Sequence, residues 1–313
     1  MRIVYIGSGE IGVPALNALL ESDVYKVVGV ITQPDRPAGR QLKLTPSPIK
    51  QAALAKHQSV YQPENINSPA ALEQIQYLKP DLAVVCAYGQ ILRQKLLDLP
   101  PLGCLNIHAS LLPQYRGSSC IQAAIRNGDS KTGITVMWMN AGLDTGDILL
   151  QQELRIANDD TAGVVHDKLS LLAPGALMDA LKLIAKGKAP RLPQDKEQAS
   201  YAGKLKKEDG HINWDQEQQA IDRHIRAMSP WPSAYAWLAT DEGKKMLKIY
   251  DTIISNRARG EPGTVLRIDD HGVLVAAAKG GLLLREVQLE SRKRMHAAEF
   301  ARGCHLKVGA KLE

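Results

Sequence analysis

Three polar residues, Asn106, His108 and Asp144, have the types and the spacing that acyl transfer requires. Asn106 and His108 are two residues apart in a predicted strand over Cys104 to His108, so both side chains leave the same face. Asp144 follows in a Gly-flanked loop, which suits a residue brought in from a separate element. An amide can stabilise a developing oxyanion, an imidazole can transfer a proton, and a carboxylate can orient the imidazole. The trio therefore predicts acyl-transfer chemistry.

Two members of this trio have competing interpretations. A single histidine at the end of a strand is often structural, but His108 shares its face with Asn106 and precedes a loop over residues 109–117. That loop lies at the carboxyl end of a strand, where α/β folds bind ligands, and this favours a functional role. Asp147 competes with Asp144 for the carboxylate role, because either aspartate can cap the turn.

Gly7, Gly9 and Gly12 have the spacing of a dinucleotide-binding turn between a strand and a helix. Taken alone, this spacing predicts a dehydrogenase. The acidic residue expected at the end of the second strand is missing, since residues 32–34 are Thr-Gln-Pro and Asp35 lies beyond them in a Pro-rich loop. Glycines with this spacing also pack a helix against a strand, so we expect no NAD.

The length and composition are those of an ordinary globular protein. The chain has 313 residues, 44% of them hydrophobic, which allows a large core and about two domains. No apolar run approaches the ~20 residues of a membrane span, and residues 1–6 lack a signal-peptide pattern, so we expect a cytoplasmic protein without a membrane partner. The cysteines lack metal-ligand spacing, which predicts reduced thiols and no metal site. They are Cys86, Cys104, Cys120 and Cys304.

The net charge of +6 is unevenly distributed. Residues 1–200 contain 20 Lys and Arg against 18 Asp and Glu, whereas residues 201–313 contain 19 against 15. Four of the six excess positive charges therefore lie in the last third of the chain, which favours a polyanionic partner. A charge that only maintains solubility explains the composition equally well.

The first 185 or so residues alternate short β-branched runs with helical patterns, which predicts βαβ units and a parallel sheet. The predicted strands are 2–6, 27–33, 82–86, 104–108, 133–139 and 147–154. The predicted helices are 12–21, 49–56, 69–78, 90–97, 118–126 and 161–186. Residues 34–48, with four prolines, are predicted to form a long loop.

Short strands at regular spacing follow a polar, Pro-containing linker and predict a small barrel. They cover residues 233–238, 245–250, 263–268, 272–276 and 282–288. The fold class is therefore α/β: an N-terminal Rossmann-like, mostly parallel sheet with helices on both faces, followed by a C-terminal β-barrel domain. We predict a catalytic domain over residues 1–188, a linker over 189–205 and the second domain over 206–313.

Several motifs resemble those of the folate-dependent formyltransferases. They are Asn106, His108, the loop 110–113, Tyr115-Arg116-Gly117, Thr132-Gly133 and the run 143–147. Within that superfamily the chain resembles the methionyl-tRNA formyltransferase family, because the match reaches both ends of the chain. The additional motifs are residues 33–40, 44–48, 87–89, 230–232 and 298–303.

This resemblance implies transfer of the formyl group of 10-formyltetrahydrofolate, a co-substrate, to the α-amino group of methionyl initiator tRNA. It assigns catalysis to Asn106, His108 and Asp144, in preference to Asp147. The folate contacts that it implies are the loop Ser110, Leu111, Leu112 and Pro113, and a second wall of Ala87, Tyr88 and Gly89. We expect no metal and no obligatory protein partner.

The resemblance also implies an OB-like barrel in the second domain and tRNA contacts in two places. The basic residues predicted to contact tRNA are Arg36, Arg40, Lys43, Lys206 and Lys207. Arg40 is implied to be the most specific of them. Gln41 and Leu42 stand where the family commonly has Gly and Lys, which lowers the positive charge of the loop.

Two other classes of function stay open on the sequence. The same chemistry can act on a small amine, such as a nucleotide precursor or an amino sugar, although such an enzyme has no need of the basic loop or the basic second domain. An RNA-binding or dinucleotide-binding protein without formyl transfer is the other alternative.

Overall fold

The computed structural model describes residues 1–38, 43–240 and 243–313. The chain forms two compact units. The first comprises residues 1–120, 131–155 and 166–202, and the second comprises residues 121–130, 156–165 and 203–313. The domain bounds given above stay a prediction, and the second unit also includes two segments from the first half of the chain.

In the described residues, nine strands, six α-helices and a short 3-10 helix (Glu10–Gly12) precede residue 186. The strands are β1 (Arg2–Gly7), β2 (Lys26–Ile31), β3 (Arg36–Ala38), β4 (Lys43–Thr45), β5 (Val60–Tyr61), β6 (Leu82–Cys86), β7 (Cys104–His108), β8 (Lys131–Trp138) and β9 (Ile148–Arg155). The helices are α1 (Val13–Leu20), α2 (Pro48–Ala55), α3 (Pro69–Tyr77), α4 (Gln94–Leu97), α5 (Cys120–Asn127) and α6 (Ala162–Ala185).

A seven-stranded sheet forms the centre of the first unit, with strand order β5-β2-β1-β6-β7-β8-β9. The first five strands in this order, β5, β2, β1, β6 and β7, are parallel to one another. At the other edge, β8 pairs antiparallel with β7, and β9 pairs antiparallel with β8. All five residues of β6 are buried, as expected for an apolar strand in the middle of a parallel sheet. The predicted mostly parallel sheet is confirmed.

Serine caps determine where two of the helices begin. The Ser47 side chain accepts a hydrogen bond from Lys50 N at the start of α2, and Ser68 accepts one from Ala71 N at the start of α3. A proline follows each serine at the first helical position, where its missing N–H has no cost.

Two predictions for this unit need correction. The region predicted as a long loop contains a two-stranded hairpin of β3 and β4. Its prolines and charged residues do not form the alternating pattern that predicts a strand. The helix predicted over residues 90–97 is limited to α4. Its first part is bonded to the loop before α3 instead: Gln90 accepts from Ile66 N at 3.0 Å, and Asn67 accepts from Arg93 N at 2.8 Å.

The second unit contains an antiparallel sheet. Its elements are α7 (Gln218–Ala227), β10 (Ala234–Thr240), β11 (Gly243–Ser255), β12 (Val265–Asp269), β13 (Gly272–Ala276), β14 (Gly281–Leu289), β15 (Met295–His296) and α8 (Ala297–Gly303). The strand order is β10-β11-β14-β13-β12, with β15 on β14. β11 extends beyond the predicted end at residue 250, because bulges near Asp251 interrupt the alternating pattern.

Residues 310–313 join the two edges of this sheet. Trp237 on β10 exchanges backbone hydrogen bonds with Glu313, at 2.6 and 2.9 Å. Beside β12, Val265 N donates to Ala310 O and Leu312 N donates to Gly263 O, both at 2.8 Å. This connection agrees with the predicted small barrel. Within the described residues, no helix is long and apolar enough to cross a membrane.

Candidate active site

The carboxyl end of β7 carries Asn106 and His108. The strand lies inside the first sheet, between β6 and β8. Asn106 is half-buried, whereas the His108 side chain is only 8% exposed. The predicted strand, with its two functional side chains on one face, therefore lies where an α/β sheet binds ligands.

The Asp144 carboxylate meets both of these side chains. Asn106 Nδ2 lies 3.4 Å from Asp144 Oδ1, and His108 Nδ1 lies 3.8 Å from Asp144 Oδ2. Oδ2 also accepts a hydrogen bond of 2.8 Å from Gly117 N. Asp147 directly precedes β9, and its carbonyl oxygen accepts from Trp138 N. Of the two competing aspartates, Asp144 is the one that joins Asn106 and His108.

The His108 ring is oriented by the main chain. His108 Nε2 lies 3.0 Å from the carbonyl oxygen of Tyr115, and a carbonyl can only accept, so Nε2 carries a proton. Nδ1 then faces Asp144 at a distance that is too long for a direct hydrogen bond. The gap between the imidazole and the carboxylate suits a transferable proton on a substrate atom or a water.

Thr135 on β8 supports the loop after β7. Its hydroxyl donates to Ser110 O at 2.6 Å and accepts from Leu112 N at 3.1 Å. Gln151 on β9 donates to the same hydroxyl and to Leu112 O, both at 2.9 Å. Ser110 and Leu112 are buried and hold the loop, whereas Leu111 and Pro113 are half-buried and are the more available for a ligand.

Residues 87–89 directly follow β6, which is the neighbour of β7 in the sheet. Ala87 and Gly89 are exposed, whereas Tyr88 is buried and packs in the core, where burial raises its pKa to about 12. Ala87 and Gly89 therefore offer surface for a ligand, and the Tyr88 side chain contributes mainly to the core.

The glycine-rich turn packs against the end of β6. Ala87 O accepts hydrogen bonds from Ser8 N at 3.3 Å and from Gly9 N at 3.1 Å. A dinucleotide phosphate binds to backbone N–H donors of such a turn, and these two N–H groups are already bonded to Ala87. A Cβ on Gly9 would lie 2.8 Å from the Ala87 Cβ, and one on Gly12 would lie 2.6 Å from Tyr5 Oη. Close packing therefore accounts for the spacing of these glycines.

Asp35 occupies a fixed position that its Pro-rich surroundings did not indicate. Its carboxylate accepts from Lys50 Nζ at 2.7 Å and from Gln62 Nε2 at 2.8 Å. These hydrogen bonds lower the pKa of Asp35. The Asp35 carboxylate therefore has a structural role, since it joins the side chains of Lys50 and Gln62.

Three residues of the predicted linker, Gln194, Ser200 and Ala202, contact residues of the site, and these contacts were not predicted from the sequence. Gln194 Nε2 donates to Asp144 O, and Gln194 Oε1 accepts from the side chain of Arg116. Ser200 O accepts from Arg116 N, and Ala202 N donates to Arg116 O, each at 2.8 Å. The sequence contains no signal for these contacts, because a polar stretch between prolines has neither helix nor strand periodicity.

The residues predicted to contact tRNA lie on two surfaces. Arg36 and Lys43 are exposed on the β3–β4 hairpin. Lys43 pairs with residue 38, which is two positions from Arg36 on the same strand. Arg36 and Lys43 therefore project from one face of the hairpin. Arg40, Gln41 and Leu42 lie outside the described residues. Lys206 and Lys207 are exposed in the second unit, and two acidic residues, Glu208 and Asp209, follow them directly.

Within residues 1–38, 43–240 and 243–313, no group of three or more His, Cys, Asp or Glu side chains is arranged to hold a metal ion. The four cysteines are thiols, and burial raises the pKa of the Cys86 and Cys104 thiols to about 12. Such thiols are poor nucleophiles at neutral pH.

Known proteins resemble the chain along both units. A family model described as "Formyl transferase" matches residues 1–181, and one described as "Formyl transferase, C-terminal domain" matches residues 204–305. The methionyl-tRNA formyltransferase of Methylacidiphilum infernorum (isolate V4) is 54% identical over 100% of this chain and 98% of its own. The enzyme of the same name from Syntrophus aciditrophicus (strain SB) is 44% identical over 100% and 99%.

A solved structure shares the fold at low identity. The N-formyltransferase from Helicobacter canadensis, in complex with folinic acid and dTDP-3-aminofucose, has a TM-score of 0.69 to this chain. It is 18% identical, and the match covers 92% of this chain and 100% of that one. At this identity the likeness supports the fold alone.

Proposed function

This chain belongs to the formyl transferase family, within the methionyl-tRNA formyltransferases, and from that premise we propose its reaction and its site. The enzyme transfers the formyl group of 10-formyltetrahydrofolate to the α-amino group of methionyl initiator tRNA, which gives N-formylmethionyl-tRNA. The observation that carries this proposal is the Asp144 carboxylate, 3.4 Å from Asn106 Nδ2 and 3.8 Å from His108 Nδ1.

The reaction needs a neutral amine and a stabilised oxyanion. An α-amino group has a pKa of about 7.7 to 8.0, so a useful fraction is nucleophilic at neutral pH. Its nitrogen attacks the formyl carbon, and the carbonyl oxygen takes the negative charge of a tetrahedral intermediate. The carbon–N10 bond then breaks, the folate nitrogen gains a proton and the amine nitrogen loses one. One well-placed donor to the oxyanion is worth roughly 3 kcal/mol.

The three side chains suit three tasks in this sequence. The long contact of Asn106 Nδ2 with Asp144 leaves the amide able to donate to the oxyanion. His108 presents Nδ1, since Tyr115 O occupies Nε2, and a proton on Nδ1 serves either as a second oxyanion donor or as the acid for the folate nitrogen. Asp144 faces Nδ1 of the imidazole and receives the amine proton, directly or through a water.

We assign the formyl donor to the surface next to this trio. The half-buried Leu111 and Pro113 and the exposed Ala87 and Gly89 provide apolar side chains and backbone for an elongated, partly aromatic ligand. The buried Ser110 and Leu112 act on the folate indirectly, because they fix the loop through Thr135.

We assign backbone contacts with the tRNA to basic residues of both units. Arg36 and Lys43 share a face of the β3–β4 hairpin, and Lys206 and Lys207 are exposed in the second unit. Such contacts fix the position of an RNA and carry little sequence information. Since the product serves translation initiation, the proposed enzyme acts in the cytoplasm.

The test is incubation of the full chain with 10-formyltetrahydrofolate and methionine-charged initiator tRNA, with detection of formylmethionine by mass spectrometry after alkaline hydrolysis. We expect formylmethionine with the initiator tRNA and far less with methionyl elongator tRNA. A parallel reaction contains an amino-sugar nucleotide. Transfer to the sugar alone would reassign the amine, and transfer to none of the acceptors would overturn the proposal.

A further inference from the structure

The side-chain amide of Gln194 makes four hydrogen bonds to oxygen and nitrogen atoms, and its Nε2 also lies 3.9 Å from Met137 Sδ. Gln194 Nε2 donates to Asp144 O at 2.8 Å and to Gly146 O at 2.7 Å. Gln194 Oε1 accepts from Arg116 Nε at 3.1 Å and from Arg116 Nη2 at 2.8 Å. Carbonyl oxygens only accept and a guanidinium only donates, so the orientation of this amide is fixed by its partners.

The backbone that Gln194 holds is in an uncommon conformation. Asp144 has a φ of +51°, in the left-handed region that non-glycine residues seldom adopt. The two carbonyls that Gln194 binds belong to Asp144 itself and to Gly146, so the amide spans this turn. A small change in the turn moves the Asp144 carboxylate relative to the imidazole of His108.

Arg116 ties the same amide to the other partners of the site. Tyr115, before it, provides the carbonyl that orients His108, and Gly117, after it, provides the N–H that binds the Asp144 carboxylate. The Arg116 guanidinium is buried with its residue 5% exposed, and it also donates to Tyr201 Oη at 3.2 Å. Arg116 is thus linked to the Asp144 carboxylate through its neighbour Gly117, and to the turn at residues 144–146 through Gln194.

We propose that Gln194 is a positioning residue for the Asp144 carboxylate, acting through the turn at residues 144–146. This inference rests on the proposed formyl transfer. Gln194 touches neither substrate in this account, and its effect reaches the reaction only through Asp144. A misplacement of about 1 Å in a catalytic group can lower a rate about 100-fold.

The variant Gln194→Glu separates the two halves of the amide. A carboxylate still accepts from Arg116, but it cannot donate to the carbonyls of Asp144 and Gly146 and repels them instead. We expect kcat for formylation to fall about 100-fold, with KM for either substrate changed less than twofold. Gln198→Glu is the matched control, because Gln198 is exposed and its amide donates to Asp195, away from the turn at residues 144–146. It should keep kcat within twofold of wild type.

A double-variant comparison distinguishes positioning from simple structural support. If Gln194 acts only through the Asp144 carboxylate, adding Gln194→Glu to Asp144→Asn should lower the single-turnover rate by less than about threefold. An equal loss in both backgrounds would overturn the inference. Gln194→Met provides a second variant, with the same expected loss of kcat, if Gln194→Glu does not fold.

The same assays separate this inference from the proposed function. Wild-type enzyme that does not formylate methionyl-tRNA contradicts the proposed function itself. Wild-type enzyme that does formylate it, alongside a Gln194→Glu variant with kcat within twofold, contradicts the role of Gln194 alone.

Discussion

The catalytic corner and the basic surface of this protein are built in opposite ways. In the catalytic corner, formed by Asn106, His108, Asp144 and the loop 110–117, most polar groups have a fixed partner within the first unit. The basic surface, formed by Lys206 and Lys207 in the second unit, is exposed to water. Side chains that bind an oxyanion and transfer a proton must be held at defined positions, and this requires rigid surroundings.

An RNA backbone makes a different demand. Phosphate contacts are long-ranged and interchangeable, so their energies are spread over many cations and depend on salt. Single substitutions should therefore be severe in the catalytic corner and mild on the basic surface. The experiments below test this contrast, beginning with the largest expected effect.

The largest effect should follow loss of one member of the trio. We expect Asn106→Ala, His108→Ala and Asp144→Asn each to lower kcat about 1000-fold, because each removes an oxyanion donor, an acid–base group or the carboxylate that receives the amine proton. Groups that act as a unit are non-additive, so double variants should lose little more than the worse single one. Single-turnover formylation with saturating substrates measures these rates.

Asp147→Asn is the matched control for Asp144→Asn. It makes the same chemical change three residues away and should leave kcat within about threefold. Equal losses for the two aspartates would mean that the loop tolerates no change of charge, and the assignment of Asp144 would fail. Near wild-type turnover in any trio variant would remove that residue from the mechanism.

Two threonines on β8 test how far the rigidity of the corner extends behind it. Thr135→Val leaves the buried Ser110 O and Leu112 N without their hydroxyl partner and should destabilise the first unit by about 2 kcal/mol. The Thr132 hydroxyl is buried, and it has no hydrogen-bond partner among the described residues. Thr132→Val should therefore be neutral or stabilising. Thermal melts that shift equally for both variants would contradict this difference.

The sequence predicted the parts of the site that depend on local order. The two-residue spacing puts Asn106 and His108 on one face of any strand that contains both, and apolar runs such as residues 82–86 identify strands of a parallel sheet. Topology then places the loop after β7 at the carboxyl edge. These inferences need no knowledge of distant contacts, and the structure agrees with them.

The support for the site depends on contacts that local order does not encode. Gln194 meets Asp144 from 50 positions away, and the segment that carries it has the composition of a linker. Asp35 is fixed by Lys50 and Gln62, although its own surroundings indicate an irregular loop. In the second unit, the edges of the sheet are joined by residues 310–313 through backbone hydrogen bonds, for which side chains give little signal.

On the basic surface we expect a moderate and salt-dependent effect. Changing Lys206 and Lys207 together to Gln should weaken tRNA binding roughly fivefold at 0.15 M salt and reduce the salt slope by about 1 to 2. The acidic Glu208 and Asp209 directly follow, which keeps the effect small. At saturating tRNA, kcat should be unchanged. Fluorescence titrations at several salt concentrations measure the binding.

The double change Lys186→Gln and Lys188→Gln is the matched control, since it removes the same net charge from exposed positions in the first unit. It should weaken binding less than twofold. Equal weakening by both pairs would show that only net charge matters, and a 1000-fold loss of turnover from Lys206 and Lys207 would erase the contrast between the two regions.

The smallest expected effect concerns His224, a partly buried histidine of the second unit. Burial lowers the pKa of His224, and the positive charge of Arg126 adds to this shift, while the hydrogen bond with Gly210 O opposes it. His211 acts in the same direction as Arg126, and Asp209 acts against it. The folded unit therefore binds a proton at His224 less readily than the unfolded chain does.

A lowered pKa in the folded state means that stability is lost as the pH falls. Above the ordinary histidine value of about 6.5, His224 is neutral in both states and contributes no pH dependence. Below it, the unfolded chain takes up the proton first, so the melting temperature should fall between pH 7 and pH 5. His224→Gln should flatten this part of the profile by a few degrees, whereas His271→Gln, at an exposed position, should follow wild type. Calorimetric melts of the full chain at four pH values test this, and parallel curves for wild type and His224→Gln would show that other groups control the acid sensitivity.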